Sequence, residues 1–125
     1  MNDPSPQPRA SRLLIVEDDA VSLRAFAELL TRAGHEVTTA INLAEARAAA
    51  AAHTFDFAIC DLGLPDGSGL DLMPQLREHH GLRAIALSGH SDEEHRRQAR
   101  DAGFVDFLAK PVDIQDILRA IERAG

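Results

Sequence analysis

A single cysteine, Cys60, stands among 125 residues, which excludes an internal disulfide and suits a reducing cytoplasm. No apolar run approaches the roughly 20 residues needed to cross a bilayer, so membrane insertion is excluded. The opening residues, MNDPSPQPRA, lack the apolar stretch of a secretory signal. They hold three prolines and no apolar periodicity, so residues 1–11 read as a disordered leader or linker. Order is expected to begin near Arg12, giving a folded domain over 12–125. There is no excess of positive charge either: 13 Lys and Arg face 20 Asp and Glu, a net charge of −7. Neutralising a phosphate backbone needs clustered basic side chains, so direct nucleic-acid binding is not expected. The histidines form no metal-ligand pattern. His79 and His80 are adjacent and would not face one ion from a helix.

What is present is a globular composition with 45% hydrophobic residues, enough at this length for one self-supporting core. Leu13–Val16 is an unbroken apolar run, as expected of a strand buried on both faces. From Ala20 to Ala33, Leu23, Phe26, Ala27 and Leu30 recur at helical spacing, and Gly34 supplies a stop. Glu36–Ala40 is short and more polar, which suits an edge strand. Asn42 and Glu45 resemble a capping pair that opens an alanine-rich helix reaching about His53. Phe55–Cys60 reads as a third strand and Asp61–Gly67 as a loop. Ser68 with Asp71 opens a third helix towards His79, with Pro74 expected to bend it. Ala84–Leu87 is a fourth strand, Ser91 with Glu94 a capping box for a helix ending at Gly103, and Phe104–Ala109 a fifth strand. Ile114, Ile117, Leu118 and Ile121 then define an amphipathic helix capped by Asp113. Strands and helices in strict alternation imply a parallel sheet covered on both sides. In such α/β sheets a ligand site lies beyond the carboxyl ends of the strands.

Those ends carry Glu17-Asp18-Asp19, Asp61, Ser88 and Lys110-Pro111. Singly, each has a plain structural explanation: Asp19 can cap a helix, Ser88 can form a turn, and Lys110 can be solvated. Converging in a small volume, the carboxylates would repel one another and be pushed towards protonation. A hard divalent cation that prefers oxygen ligands relieves that repulsion. A carboxylate with a cation, an ammonium and a hydroxyl beside it suits phosphoryl transfer, which asks mainly for an in-line nucleophile and charge balance. Asp61 is then the nucleophile, with Lys110 and Ser88 its partners. The fourth helix, with no Leu, Ile, Val, Met or Phe, can bury only Ala99, Ala102 and arginine stems. A helix docked so weakly is expected to move at small cost.

The successive motifs LLIVEDD, ICDLGLPDGSGLDLM, AIALSG and DFLAKPVD resemble those of bacterial response-regulator receiver domains, from about Arg12 to the end of the chain. The resemblance implies a (βα)₅ flavodoxin-like, doubly wound fold with strand order 2-1-3-4-5. It implies phosphorylation of Asp61 by a histidine kinase or histidine phosphotransfer protein in a two-component phosphorelay. The domain would catalyse its own phosphorylation and dephosphorylation, with no separate substrate to turn over. The implied Mg²⁺ (or Mn²⁺) ligands are Asp18 and Asp61 directly, Glu17 through water, and the backbone carbonyl of Gly63. Ser88 and Phe107 fall on the switch positions, the latter without a phenolic hydroxyl; a half-buried strand aromatic is an equally good reading of Phe107. Gly63 and His90 fall where side chains screen the acyl phosphate and set its lifetime. The resemblance also implies a cis Lys110–Pro111 bond and a response to phosphorylation across the fourth helix, fifth strand and fifth helix.

Three other readings compete. A haloacid-dehalogenase-type enzyme also uses an aspartyl nucleophile, but requires a second Asp where this chain has Gly63. A non-phosphorylated pseudo-receiver would be an interaction module of the same fold; such modules lose a key residue, and none is lost here. A receiver of a hybrid histidine kinase keeps the chemistry and changes only the setting. With no output domain after Gly125, phosphorylation is expected to act through a partner.

Overall fold

The computed structural model describes residues 11–79 and 81–124. The leader reading of residues 1–10 and the solvated reading of His80 lie outside them. Five parallel strands form the main sheet: β1 (Arg12–Val16), β2 (Glu36–Ala40), β3 (Phe57–Asp61), β4 (Arg83–Ser88) and β5 (Asp106–Ala109). Their order is 2-1-3-4-5, the flavodoxin-like arrangement. The helices are α1 (Ala20–Arg32), α2 (Leu43–Ala52), α3 (Met73–Leu76), α4 (Glu93–Ala102) and α5 (Ile114–Ala124).

Strand alternation sorts the core into two layers. Leu14, Val16, Ala58, Cys60, Ala84 and Ala86 face α2, α3 and α4. Leu13, Ile15, Phe57, Ile59, Ile85 and Leu87 face α1 and α5. Both faces of the central strands are apolar because both are covered. The α1/α5 side takes the bulky side chains, with Leu23 and Leu30 from α1 and Ile117, Ala120 and Ile121 from α5.

Local boundaries shift where caps and turns decide them. Asp61 is the last residue of β3 and not the first of a loop, because its backbone remains in register with Leu87. The expected third helix is divided. A two-residue hairpin pairs Gly63–Leu64 with Gly67–Ser68, a 3₁₀ turn covers Gly69–Leu72, and only Met73–Leu76 is α-helical. Pro74 therefore does not bend a long helix; it stands at the start of a short one, where a missing amide costs nothing. Helix α4 is capped by Asp92, which accepts from the His95 amide at 2.9 Å, and not by Ser91. Strand β5 begins at Asp106 and not at Phe104, whose amide instead closes the end of α4 on the Ala99 carbonyl.

Candidate functional site

The carboxyl ends of β1, β3, β4 and β5 bring the acidic, hydroxyl and ammonium groups to one edge of the sheet. Glu17 and Asp18 follow β1, whose neighbour in the sheet is β3, and Asp61 ends β3. One oxygen from each of the three lies within 4.8 Å of the other two. Glu17 and Asp61 form the floor, 1% and 4% exposed, and Asp18 the exposed rim. Lys110 follows β5, and its amide donates to the Ser88 carbonyl at 2.8 Å, fixing the tips of β4 and β5 together. Its Nζ donates to Asp61 Oδ2 at 2.5 Å and to Glu17 Oε2 at 3.2 Å. The other Asp61 oxygen accepts from the Gly63 amide at 3.0 Å. Glu17 Oε1 accepts from the Asp19 amide at 3.1 Å, while Asp19 itself caps α1 through Ser22.

Electrostatics follow from that crowding. Burial, then the hydrogen bond and charge of Asp61, push the Glu17 carboxyl up to about 7. Burial disfavours the charged Lys110, but the hydrogen bonds and charges of Asp61 and Glu17 outweigh it and hold the ammonium above its ordinary value. Three carboxylates against one ammonium leave a surplus of negative charge in a mostly buried cluster. That donor set fits a hard divalent cation, whose oxygen ligands would be these carboxylates and a nearby carbonyl.

Ser88 is 3% exposed and its Oγ accepts from the His90 amide at 3.0 Å. His90 is exposed, and its ring stacks on that of His95 with centroids 4.9 Å apart. Phe107 is half-buried beneath the Arg96 guanidinium, 4.9 Å from the ring centroid. A Cβ at Gly63 would lie 3.9 Å from Asp61 Oδ1, so a side chain there would stand beside the carboxylate and glycine leaves it open. The Lys110–Pro111 bond is cis.

Two residues that shape the site escaped the sequence reading. At Gly69 a Cβ would lie 2.5 Å from the Asp61 carbonyl oxygen and 2.8 Å from Cys60 Sγ. Only a glycine lets the chain pass behind the end of β3. Asp66 accepts from the Leu43 and Ala44 amides at 2.8 and 3.1 Å, a contact no local pattern announces. Its one sequence signal was its place in the turn-forming run LPDGSG.

Comparison with known proteins places this arrangement among relatives. The chain is 39% identical over 112 residues to the transcriptional regulatory protein KdpE of Mycobacterium tuberculosis, covering 90% of this chain and 50% of that protein. It is 40% identical over 115 residues to the acid tolerance regulatory protein ActR of Rhizobium meliloti, covering 90% and 59%. The chain thus spans only about half the length of such relatives. Among solved structures it resembles a CheY-like receiver domain protein of Methanospirillum hungatei, with a TM-score of 0.85, 29% identity and coverage of 92% and 93%. It also resembles a response regulator of Burkholderia pseudomallei solved with a phosphorylated aspartic acid, calcium ion and citrate, with a TM-score of 0.82, 34% identity and coverage of 87% and 65%. The family model that matches it, the response regulator receiver domain, runs over residues 13–122 and leaves little of the sheet or its helices outside, so the chain belongs to that family.

Proposed function

We propose that this chain is the phosphoacceptor module of a two-component phosphorelay, in which Asp61 takes a phosphoryl group from the phosphohistidine of a histidine kinase or histidine phosphotransfer protein. The observation that carries this reading is the Asp61 carboxylate: 4% exposed, with one oxygen on the Lys110 ammonium and the other on the Gly63 amide. In the transfer, a carboxylate oxygen bonds to phosphorus as the phosphorus–nitrogen bond breaks, and the departing imidazole keeps the bonding pair. Mg²⁺ (or Mn²⁺), when bound, supplies the positive charge that balances carboxylates and phosphoryl oxygens. Glu17, Asp18, Asp61 and the carbonyl of Gly63 would hold it. Lys110, already against Asp61, is in reach of a phosphoryl oxygen, and the Ser88 hydroxyl is available to donate to another. A response then passes to Phe107 and α4 and on to a protein partner. His90, with the open space at Gly63, governs how readily water reaches the acyl phosphate. The cytoplasm is the compartment in which such a donor and Mg²⁺ are at hand. Support comes from the kinship with the Burkholderia pseudomallei regulator that carries a phosphorylated aspartic acid.

The test is incubation with acetyl phosphate and Mg²⁺, followed by intact-mass measurement of the wild type and Asp61→Ala. One phosphoryl adduct on the wild type and none on the variant is expected. An adduct on both would move the acceptor elsewhere, and none on either would favour the non-phosphorylated interaction module.

A further inference from the structure

We propose that Asp66 is a positioning residue of this site: by holding the amino end of α2 it fixes the hairpin that carries Gly63 against Asp61. The inference rests on the phosphoacceptor reading for its consequence, but not for its geometry. The hairpin has two residues on each side, Gly63 opposite Ser68 and Leu64 opposite Gly67. A ladder that short does not hold its place unaided. At one end it is anchored to the site, through the Gly63 amide on Asp61 Oδ1 at 3.0 Å and the Gly69 amide on the Leu62 carbonyl at 2.9 Å. At the other end, both Asp66 oxygens are engaged across more than twenty residues of sequence, by Leu43 N at 2.8 Å and Ala44 N at 3.1 Å.

Helix α2 does not lack a cap of its own. Asn42 Oδ1 accepts from the Glu45 amide at 2.8 Å, and the Glu45 carboxylate reaches back to the Ile41 amide at 3.1 Å. Asp66 takes the two first-turn amides that this local box leaves over, so its contact joins two elements instead of merely finishing one. Gly67 closes the joint. Its φ is +148°, and a Cβ there would lie 2.8 Å from Leu43 Cδ1, so the turn rests directly on the buried Leu43 side chain. The physical line runs from α2 through Asp66 and the hairpin to Gly63 and Asp61. Groups that orient a metal ligand without touching the metal commonly set affinity by 10–100-fold.

Asp66→Ala and Asn42→Ala separate positioning from simple capping, because both remove a contact of α2 but only the first releases the hairpin. Mg²⁺ titrations followed by amide chemical shifts are expected to give an about 10-fold weaker Kd for Asp66→Ala and an unchanged Kd for Asn42→Ala. Asp66→Asn, which keeps one acceptor oxygen, should fall between. In the metal-free protein, amide exchange at Gly63 should accelerate in Asp66→Ala and not in Asn42→Ala. Equal effects of the two alanine variants on Kd and on Gly63 exchange, or none from Asp66→Ala, would overturn the proposal. If the wild type bound no Mg²⁺, the phosphoacceptor reading would fall, and Gly63 exchange would still decide whether Asp66 holds the hairpin.

Discussion

Glu17 and Asp61 are nearly sealed from solvent, and the ammonium that relieves both is the same one. Burial there, and then the neighbouring Asp61 carboxylate, raise the Glu17 carboxyl against the pull of Lys110 and the Asp19 amide. At His35 burial works on a base and in the other direction. Its Nδ1 accepts the Ser11 amide at 3.2 Å, which only an unprotonated ring nitrogen can do. Burial holds the imidazole below its ordinary 6.5. The native state therefore prefers the neutral ring, and the resulting stability is full above 6.5 and lost as pH falls through the lowered native value. Glu17, raised in the native state, titrates in an overlapping window with the opposite sign, so a difference measurement is needed. His35→Asn keeps an acceptor for Ser11 and removes the titration. Urea midpoints of wild type and variant should be nearest above pH 6.5 and diverge below it, with the wild type losing more. Parallel curves would mean that His35 contributes nothing to the acid limb.

At the scale of elements, α4 and α5 flank the same edge strand with unequal grips. Helix α5 buries Ile117, Ala120 and Ile121, whereas α4 buries Ala99 alone. What else holds α4 lies near its ends: the Arg77 guanidinium on the Ala102 carbonyl, the Phe104 amide on the Ala99 carbonyl, and Arg96 over Phe107. Gly103 is required there by its φ of +114°, and a Cβ would meet Arg77 Nη2 at 2.9 Å. Weak burial gives α4 a low free energy of opening, and segments that switch are drawn from that end of the stability range. Amides of α4 should exchange faster than those of α5 in the unmodified protein. Beryllofluoride with Mg²⁺ should change protection in α4 and β5 while leaving α1 as it was. Unaltered protection in α4 would remove it from the response. By contrast, Ile117→Ala should cost about 2–5 kcal/mol of global stability in denaturant unfolding, the range for an aliphatic side chain truncated to a cavity in a core. The weak grip of α4 was visible in the sequence, because a helix without large apolar residues has little to bury. The division of α3 was not, since Pro74 is compatible both with a bent helix and with a helix that starts beside it. The second is the one that forms, with Pro74 in the first turn of α3.

For the whole molecule, a divalent ion held as proposed by the acid cluster would tie stability to its concentration. Anything that binds the native state and not the unfolded chain stabilises it by mass action, about 2.7 kcal/mol at a hundred times Kd. For a domain of this size that corresponds to a rise in Tm on the order of 10 °C. Mg²⁺ should raise the melting temperature of the wild type reversibly with EDTA. Asp18→Ala should abolish the rise while melting normally without metal, because Asp18 is on the exposed rim. A Tm that ignores Mg²⁺ would show that the cluster holds no ion.

The alternation of apolar runs and amphipathic segments by itself determined the strand and helix order and the parallel sheet, since burial on both faces leaves an apolar run in each of the central strands β1, β3 and β4. It also pointed to the edge of the sheet where Glu17, Asp18, Asp61, Ser88 and Lys110 gather, because each follows or ends a strand. Tertiary structure alone decided the rest: the bond of Lys110 to Asp61 and Glu17 together, the clearance that demands glycine at position 69, and the reach of Asp66 across to α2. Each of those is a contact between distant segments, set by how elements pack in space, and a local pattern of residue types carries no record of such distances.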